Sequence, residues 1–385
     1  MSHSNPIKPA HYAGSWYPHS PRLLQEQIGP CPEDHLSMRW QQLKHLPDDF
    51  FLDLPQEPEG KSEGKPKDKP EGNPKGRANH SAGVVKGSEP LGKPPGDEMT
   101  PEPSVPIPPV RVRGPVVGGI LPHAGLQFSA LGQLSVLRRI HWKPGLVVIL
   151  APSHRVPLPA DTIITTPFGG YSTPLGILQG IPVESHHTGH ITVRADHQIA
   201  GAEHALELLL PGIAAHLGID QPLAGFILPS IHEITDHYPD DPSPWLTHAR
   251  EALIAGVSRY CEPEKVLWLV SSDFTHYGPR FSYTPAGAVQ SDPSGVLHES
   301  FVSDHRIAQK LSSLDATGAF HSWTDRKATI CGLVPSLVMV SVLREIWNGR
   351  VVGRQESSYT SLGITGISGD DADFVAYRGI SLGLQ

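Results

Sequence analysis

Three stretches decide the fold: GPVVGGILPHAG at 114–125, GLVVILAPSH at 145–154 and VLWLVSSDFTH at 266–276. Each is an apolar run of strand length that ends in a small polar cluster. Unbroken hydrophobicity, without alternation, marks a strand covered on both faces, as in parallel sheets layered between helices. Outward from these three, further strands are predicted over 161–166, 223–228, 351–360 and 374–382. Helical spacing of apolar residues predicts helices over roughly 129–141, 203–217, 245–260, 295–314 and 332–347, with Pro211 kinking or breaking the second. The segment FGGYSTPLG at 168–176 reads as turn chemistry. Strands alternating with helices predict an α/β three-layer sandwich, with a mostly parallel central sheet flanked by helices.

Composition narrows the function. The 385 residues carry a formal net charge of -8, which argues against nucleic acid as the main partner. Only three cysteines occur, Cys31, Cys261 and Cys331, too few and too scattered for a disulfide framework, so a reducing, cytoplasmic setting is expected. The opening MSHSNPIKPAHYAGSWY has no basic stretch followed by an apolar one, and no secretory signal is expected there. No apolar run reaches the roughly 18–20 residues that span a bilayer, so no membrane partner is expected. Of the 40 prolines, 13 lie in 55–110, a stretch dense in Pro, Gly, Lys and Glu that has almost no large apolar residue. Such a segment buries too little surface to offset its ordering entropy, so 55–110 reads as a disordered insertion in a single domain made of 1–54 and 111–385.

The polar clusters carry the chemistry. In open α/β sheets, ligands bind beyond the carboxyl ends of the strands. Three predicted strands deliver His123, His154 and the pair Asp273 and His276 to that edge. With 22 histidines in the chain, one of them after a strand decides nothing; three together do. Two imidazoles and one anion, with positions left open, make a common catalytic metal site. The anion is either Asp273 or the thiolate of Cys331, whose place before a predicted helix favours the charged form.

These segments resemble a known family. HYAGSWY (11–17), LPHAG (121–125), APSHRVPL (151–158), EHALELLLP (203–211), SSDFTHYG (271–278) and ICG (330–332) are similar, in order, to the signature segments of the Memo family, whose bacterial members are called AmmeMemoRadiSam system protein B. The resemblance implies a fold like that of class III extradiol ring-cleaving dioxygenases, which use non-haem iron. It implies His123, His154 and Cys331 as metal ligands, with Asp273 and His276 lining the cleft and His276 acting as acid/base. Glu203 and His204 are implied to lie near the site, supporting it from behind.

The function so implied is an iron- or copper-dependent oxidoreductase, dioxygenase-like, acting on a small substrate, with zinc as a further option for the metal. The alternative is an adaptor that uses the same cleft to bind a peptide or phosphorylated ligand without turnover. The bacterial name also implies partner proteins of a radical-SAM system. Two departures matter. Arg155 stands where the family often has a second histidine, adding a permanent positive charge beside the cleft. Leu126 replaces a usual aromatic, with Phe128 two positions on. The dioxygenases use a carboxylate where the Memo pattern supplies Cys331, and a soft thiolate shifts preference toward copper or zinc. Kinship of fold does not carry ring cleavage with it.

Overall fold

The structure, a computed structural model, describes residues 6–28, 114–285, 293–362 and 373–385. The insertion expected at 55–110 lies outside the described residues. The chain opens with strand β1 (Ile7–Lys8) and helix α1 (Pro21–Ile28). Next come β2 (Val116–Leu121), α2 (Leu126–Leu137), β3 (Leu146–Pro152) and β4 (Thr162–Thr165). A hairpin of β5 (Gly170–Thr173) and β6 (Gly176–Gln179) precedes β7 (His186–Thr188) and β8 (Ile191–Ala195). Short helices α3 (His197–Ala202), α4 (His204–Glu207) and α5 (Leu210–Leu217) lead to β9 (Leu223–Leu228), α6 (Ile231–Thr235), α7 (Ser243–Val257) and β10 (Val266–Ser271). The closing elements are β11 (His276–Tyr277), α8 (Pro293–Ser312), α9 (Ala316–Thr324), α10 (Leu333–Ile346), β12 (Val351–Thr360) and β13 (Phe374–Leu384).

Among the described residues, ten strands form the main sheet, in the order β11-β13-β2-β10-β3-β9-β4-β8-β7, with β12 paired to β13. The middle strands β2, β10, β3 and β9 run parallel, each buried along its whole length. Side chains on β3 alternate between layers. Val148 and Leu150 join the core under α7 and α10, while Val147 and Ile149 join the one under α2, α4 and α5. That alternation makes the three layers.

The sheet is mixed, which corrects the expectation of a mostly parallel one. Strand β13 runs antiparallel to β2 and β12, and β4 antiparallel to β9. Most apolar residues of β4 and β13 are buried like those of the parallel core, so hydrophobicity gives no sign of direction. The 168–176 segment also differs from its reading as a turn, since it contains β5 and the start of β6. Gly170–Thr173 pairs antiparallel with Gly176–Gln179 as a hairpin, and β1 adds a third strand. Pro211 breaks the helix expected over 203–217, lying in the first turn of α5, where its missing N–H costs nothing.

Register places the site. Val270 pairs with Ile120 on one side and with Leu150 on the other, so β2, β10 and β3 end at one edge. The residues that follow these strands must emerge together.

Candidate metal centre

His123 follows β2, His154 follows β3, and His204 is the first residue of the one-turn helix α4. One ring nitrogen from each of the three lies within 4.8 Å of the other two. Ring centroids are 5.1 Å apart for His123 and His154, 5.7 Å for His123 and His204, and 4.5 Å for His154 and His204. This spacing suits one cation held by imidazole.

The nitrogens facing away from the site are held by protein groups. The Ser271 hydroxyl donates to the carbonyl of Ala205 (2.5 Å), so it accepts from His123 Nδ1 at 2.8 Å. That assignment protonates Nδ1 and leaves Nε2 of His123 with a free lone pair. Glu203 accepts from the His154 backbone N–H (2.8 Å), from His154 Nδ1 (3.0 Å) and from the Ala205 N–H (2.9 Å) that begins α4. His204 Nδ1 lies 3.1 Å from the same carboxylate, yet makes no hydrogen bond although buried. A carboxylate behind metal-binding imidazoles orients them and raises their basicity.

Electrostatics agree with this arrangement. Burial would raise the Glu203 carboxyl, but the hydrogen bond from His154 and the imidazole of His204 close beside it outweigh that effect and hold the group well below the usual carboxylate range. Burial pushes His123 well below an ordinary histidine, and the neighbouring His154, His204 and His276 push it further. His123 is therefore neutral near pH 7, the form a metal needs.

A pH test follows for the metal-free protein. Below about pH 6.5 an unfolded imidazole gains a proton, whereas buried His123 resists it. The unfolded state then binds more protons, so stability falls as pH drops below that point, by at most about 1.4 kcal/mol per unit from this one group. Urea midpoints at pH 7.5 and 5.5 should show a smaller drop for His123→Gln than for the wild type. Equal drops would remove His123 from the account.

Cys331 reaches the same place from another direction. Its sulfur lies 3.4 Å from His123 Nε2, and the Asp273 backbone N–H points at it from 3.3 Å. Gly332 permits the approach, since a Cβ there would meet the Ser271 carbonyl oxygen at 2.6 Å. The expected helix effect on the thiol is outweighed. Helix α10 begins only at Leu333, and burial, with the Asp273 carboxylate adding to it, pushes the thiol well up. A neutral S–H facing His123 Nε2 is the resting form, and a cation would displace that proton.

Asp273 is buried, accepts from the His123 backbone N–H (2.8 Å), and is raised by that burial. His276 is fixed twice by Thr329: its backbone N–H donates to the threonine hydroxyl, and its Nδ1 donates to the threonine carbonyl, each at 2.9 Å. Nε2 of His276 is thus the nitrogen left to accept a proton. Arg155 is exposed and donates to the Tyr12 hydroxyl at 3.0 Å. Sequence reading passed over Ser271 and Thr329, because a hydroxyl behind a histidine leaves no spacing signal. It placed His204 near the site without seeing its ring beside the other two. Tyr12 and Trp16 of the N-terminal segment pack on that ring, with centroids 6.1 and 5.2 Å away.

A family model described as Memo-like protein matches residues 107–378. The chain belongs to the Memo family. Among its relatives, the protein memo-1 homolog of Caenorhabditis elegans is 28% identical over 239 residues, covering 59% of this chain and 62% of the nematode protein. A MEMO1 family protein of Thermococcus onnurineus is 27% identical over 222 residues, 56% of this chain and 71% of its own. One from Methanosarcina barkeri is 24% identical over 271 residues, 69% and 86% of the two chains. The match to the nematode protein thus spans less than two thirds of that relative. In this Memo-family chain, His123, His154, Asp273, His276 and Cys331 all fall inside the matched range, and HYAGSWY lies before it.

The residues fit a metal. Three converging imidazole nitrogens, with the Cys331 thiol beside that of His123, offer nitrogen and sulfur donors, which suit iron, copper or zinc and not magnesium or calcium. Among the described residues, no helix is long and apolar enough to cross a membrane.

Proposed function

We propose that this protein is an iron- or copper-dependent oxidoreductase, dioxygenase-like, that acts on a small substrate in the cleft of His123, His154 and His204. The observation that carries the reading is the convergence of three imidazoles whose outward nitrogens face Ser271 and Glu203. Cys331 stands ready as the anionic donor once its proton is displaced from the His123 side. A bound redox metal supplies one-electron chemistry and a place for oxygen and substrate. The protein's own residues do the rest. His276, with Nε2 facing no protein acceptor among the described residues in its Thr329-bound tautomer, takes a proton from a substrate hydroxyl and returns it later, while Thr329 holds the ring still. Asp273 holds the His123 loop through its backbone N–H.

The experiment is oxygen uptake by metal-reconstituted protein with phenols, catechols and simple reductants. Turnover is expected for the wild type, with a loss of about 10²–10⁴-fold in His276→Gln, the scale of a general acid/base, and metal content unchanged. No uptake with any metal would end the oxidoreductase reading.

The adaptor reading keeps one observation in its favour. Exposed Arg155 follows His154 directly, and Trp16, 37% exposed, packs beside His204; a cation and an aromatic near the imidazoles suit a phosphorylated or peptide ligand. A phosphopeptide bound by metal-loaded protein without oxygen uptake would decide for it. A cytoplasmic setting and radical-SAM partner proteins belong to the same proposal. They are supported by the scattered cysteines and by the family resemblance.

A further inference from the structure

We infer that the N-terminal strap, residues 6–17, is a working part of the metal centre, and that Lys8, Glu207 and Tyr17 are positioning residues for His204. The inference rests on the metal reading above and deepens it. Helix α4 is a single turn, His204–Glu207, too short to hold its own direction. His204 begins it and Glu207 ends it, three residues on, so the two share one face.

Glu207 is fully buried and, among the described residues, accepts three hydrogen bonds, all from the strap. Lys8 Nζ donates at 2.6 Å, the Tyr12 backbone N–H at 2.8 Å and the Tyr17 hydroxyl at 2.9 Å. The Lys8 side chain is fully buried as well. A buried ion pair is costly to desolvate and is often no more stable than apolar packing, so its distinctive contribution is a fixed geometry.

The strap also touches the segments that carry the other two imidazoles. The Trp16 carbonyl accepts from the Leu126 N–H at 2.8 Å, just past the loop of His123. The Tyr12 hydroxyl takes the Arg155 guanidinium, next to His154. One short segment therefore contacts all three histidine-bearing stretches, and its anchor is the carboxylate on the helix of His204. The ion pair sets where the third imidazole stands.

The test uses the full chain with ¹⁵N-labelled histidine, metal-free, and a parallel titration with Co(II). In a Lys8→Met, Glu207→Met double variant, the His204 ring signals should move most, and Co(II) affinity should fall roughly tenfold or more, the scale for groups that orient ligands. A merely structural pair would leave the His204 signals and the Co(II) affinity at wild-type values in the folded variant, and that result overturns the inference. If the wild type itself takes up no Co(II), the metal reading fails, and the His204 signals alone decide on the strap. Should the double variant not fold, Tyr17→Phe removes one hydroxyl from Glu207 and is read on the same signals. A shift at His204 supports the inference and unchanged signals overturn it.

Discussion

Loss of His123 and His154 together is expected to abolish stoichiometric metal binding, while Glu203→Gln weakens it about 10–100-fold. The two effects have different causes. The double alanine variant removes two of the three converging nitrogens and leaves a vacant, partly buried space. Glutamine keeps the shape of Glu203 and one acceptor oxygen, but loses the charge that His154 and His204 face and offers an amide where their N–H groups point. The rings then have no fixed orientation, and each must be ordered at the expense of binding. Competition against a chromophoric chelator measures both. Cys331→Ser, titrated beside them, reports on the thiol: unchanged affinity would leave the three imidazoles as the whole donor set. Full binding by the His123→Ala, His154→Ala protein would place the metal elsewhere.

Lys8→Met is expected to cost about 3–5 kcal/mol of stability, the range for removing one partner of a buried ion pair. Glu207 would remain, fully buried, with its charge faced only by Tyr12 and Tyr17. Adding Glu207→Met should recover part of the loss, because no charge is then stranded, although the Tyr12 N–H and the Tyr17 hydroxyl lose their acceptor at about 1–3 kcal/mol each. Urea unfolding followed by circular dichroism gives the comparison. A single variant as stable as the wild type would mean that water reaches Glu207, against its complete burial in the structure.

Much of the architecture was legible from the chain because buried strands need unbroken apolar runs. The central strands β2, β3, β9 and β10 fall where those runs lie, and His123 and His154 follow their strands as read. Boundaries of helices were less legible. Helix α2 starts at Leu126, three residues ahead of the expected 129, because the apolar spacing alone does not show where the turn after PHAG ends. The Lys8–Glu207 pair had no signal at all. Its partners are 199 residues apart, and a lysine near the start of a chain reads as a solvated charge.

By itself the sequence determined an α/β core with histidines beyond its central strands, since hydrophobic runs and the polar residues that end them are local properties. Only the tertiary structure decided the antiparallel course of β4 and β13 and brought His204 and Cys331 to His123. Pairing direction depends on how distant strands meet, and a ligand set drawn from separate strands, a one-turn helix and the loop before α10 exists only once those elements have packed.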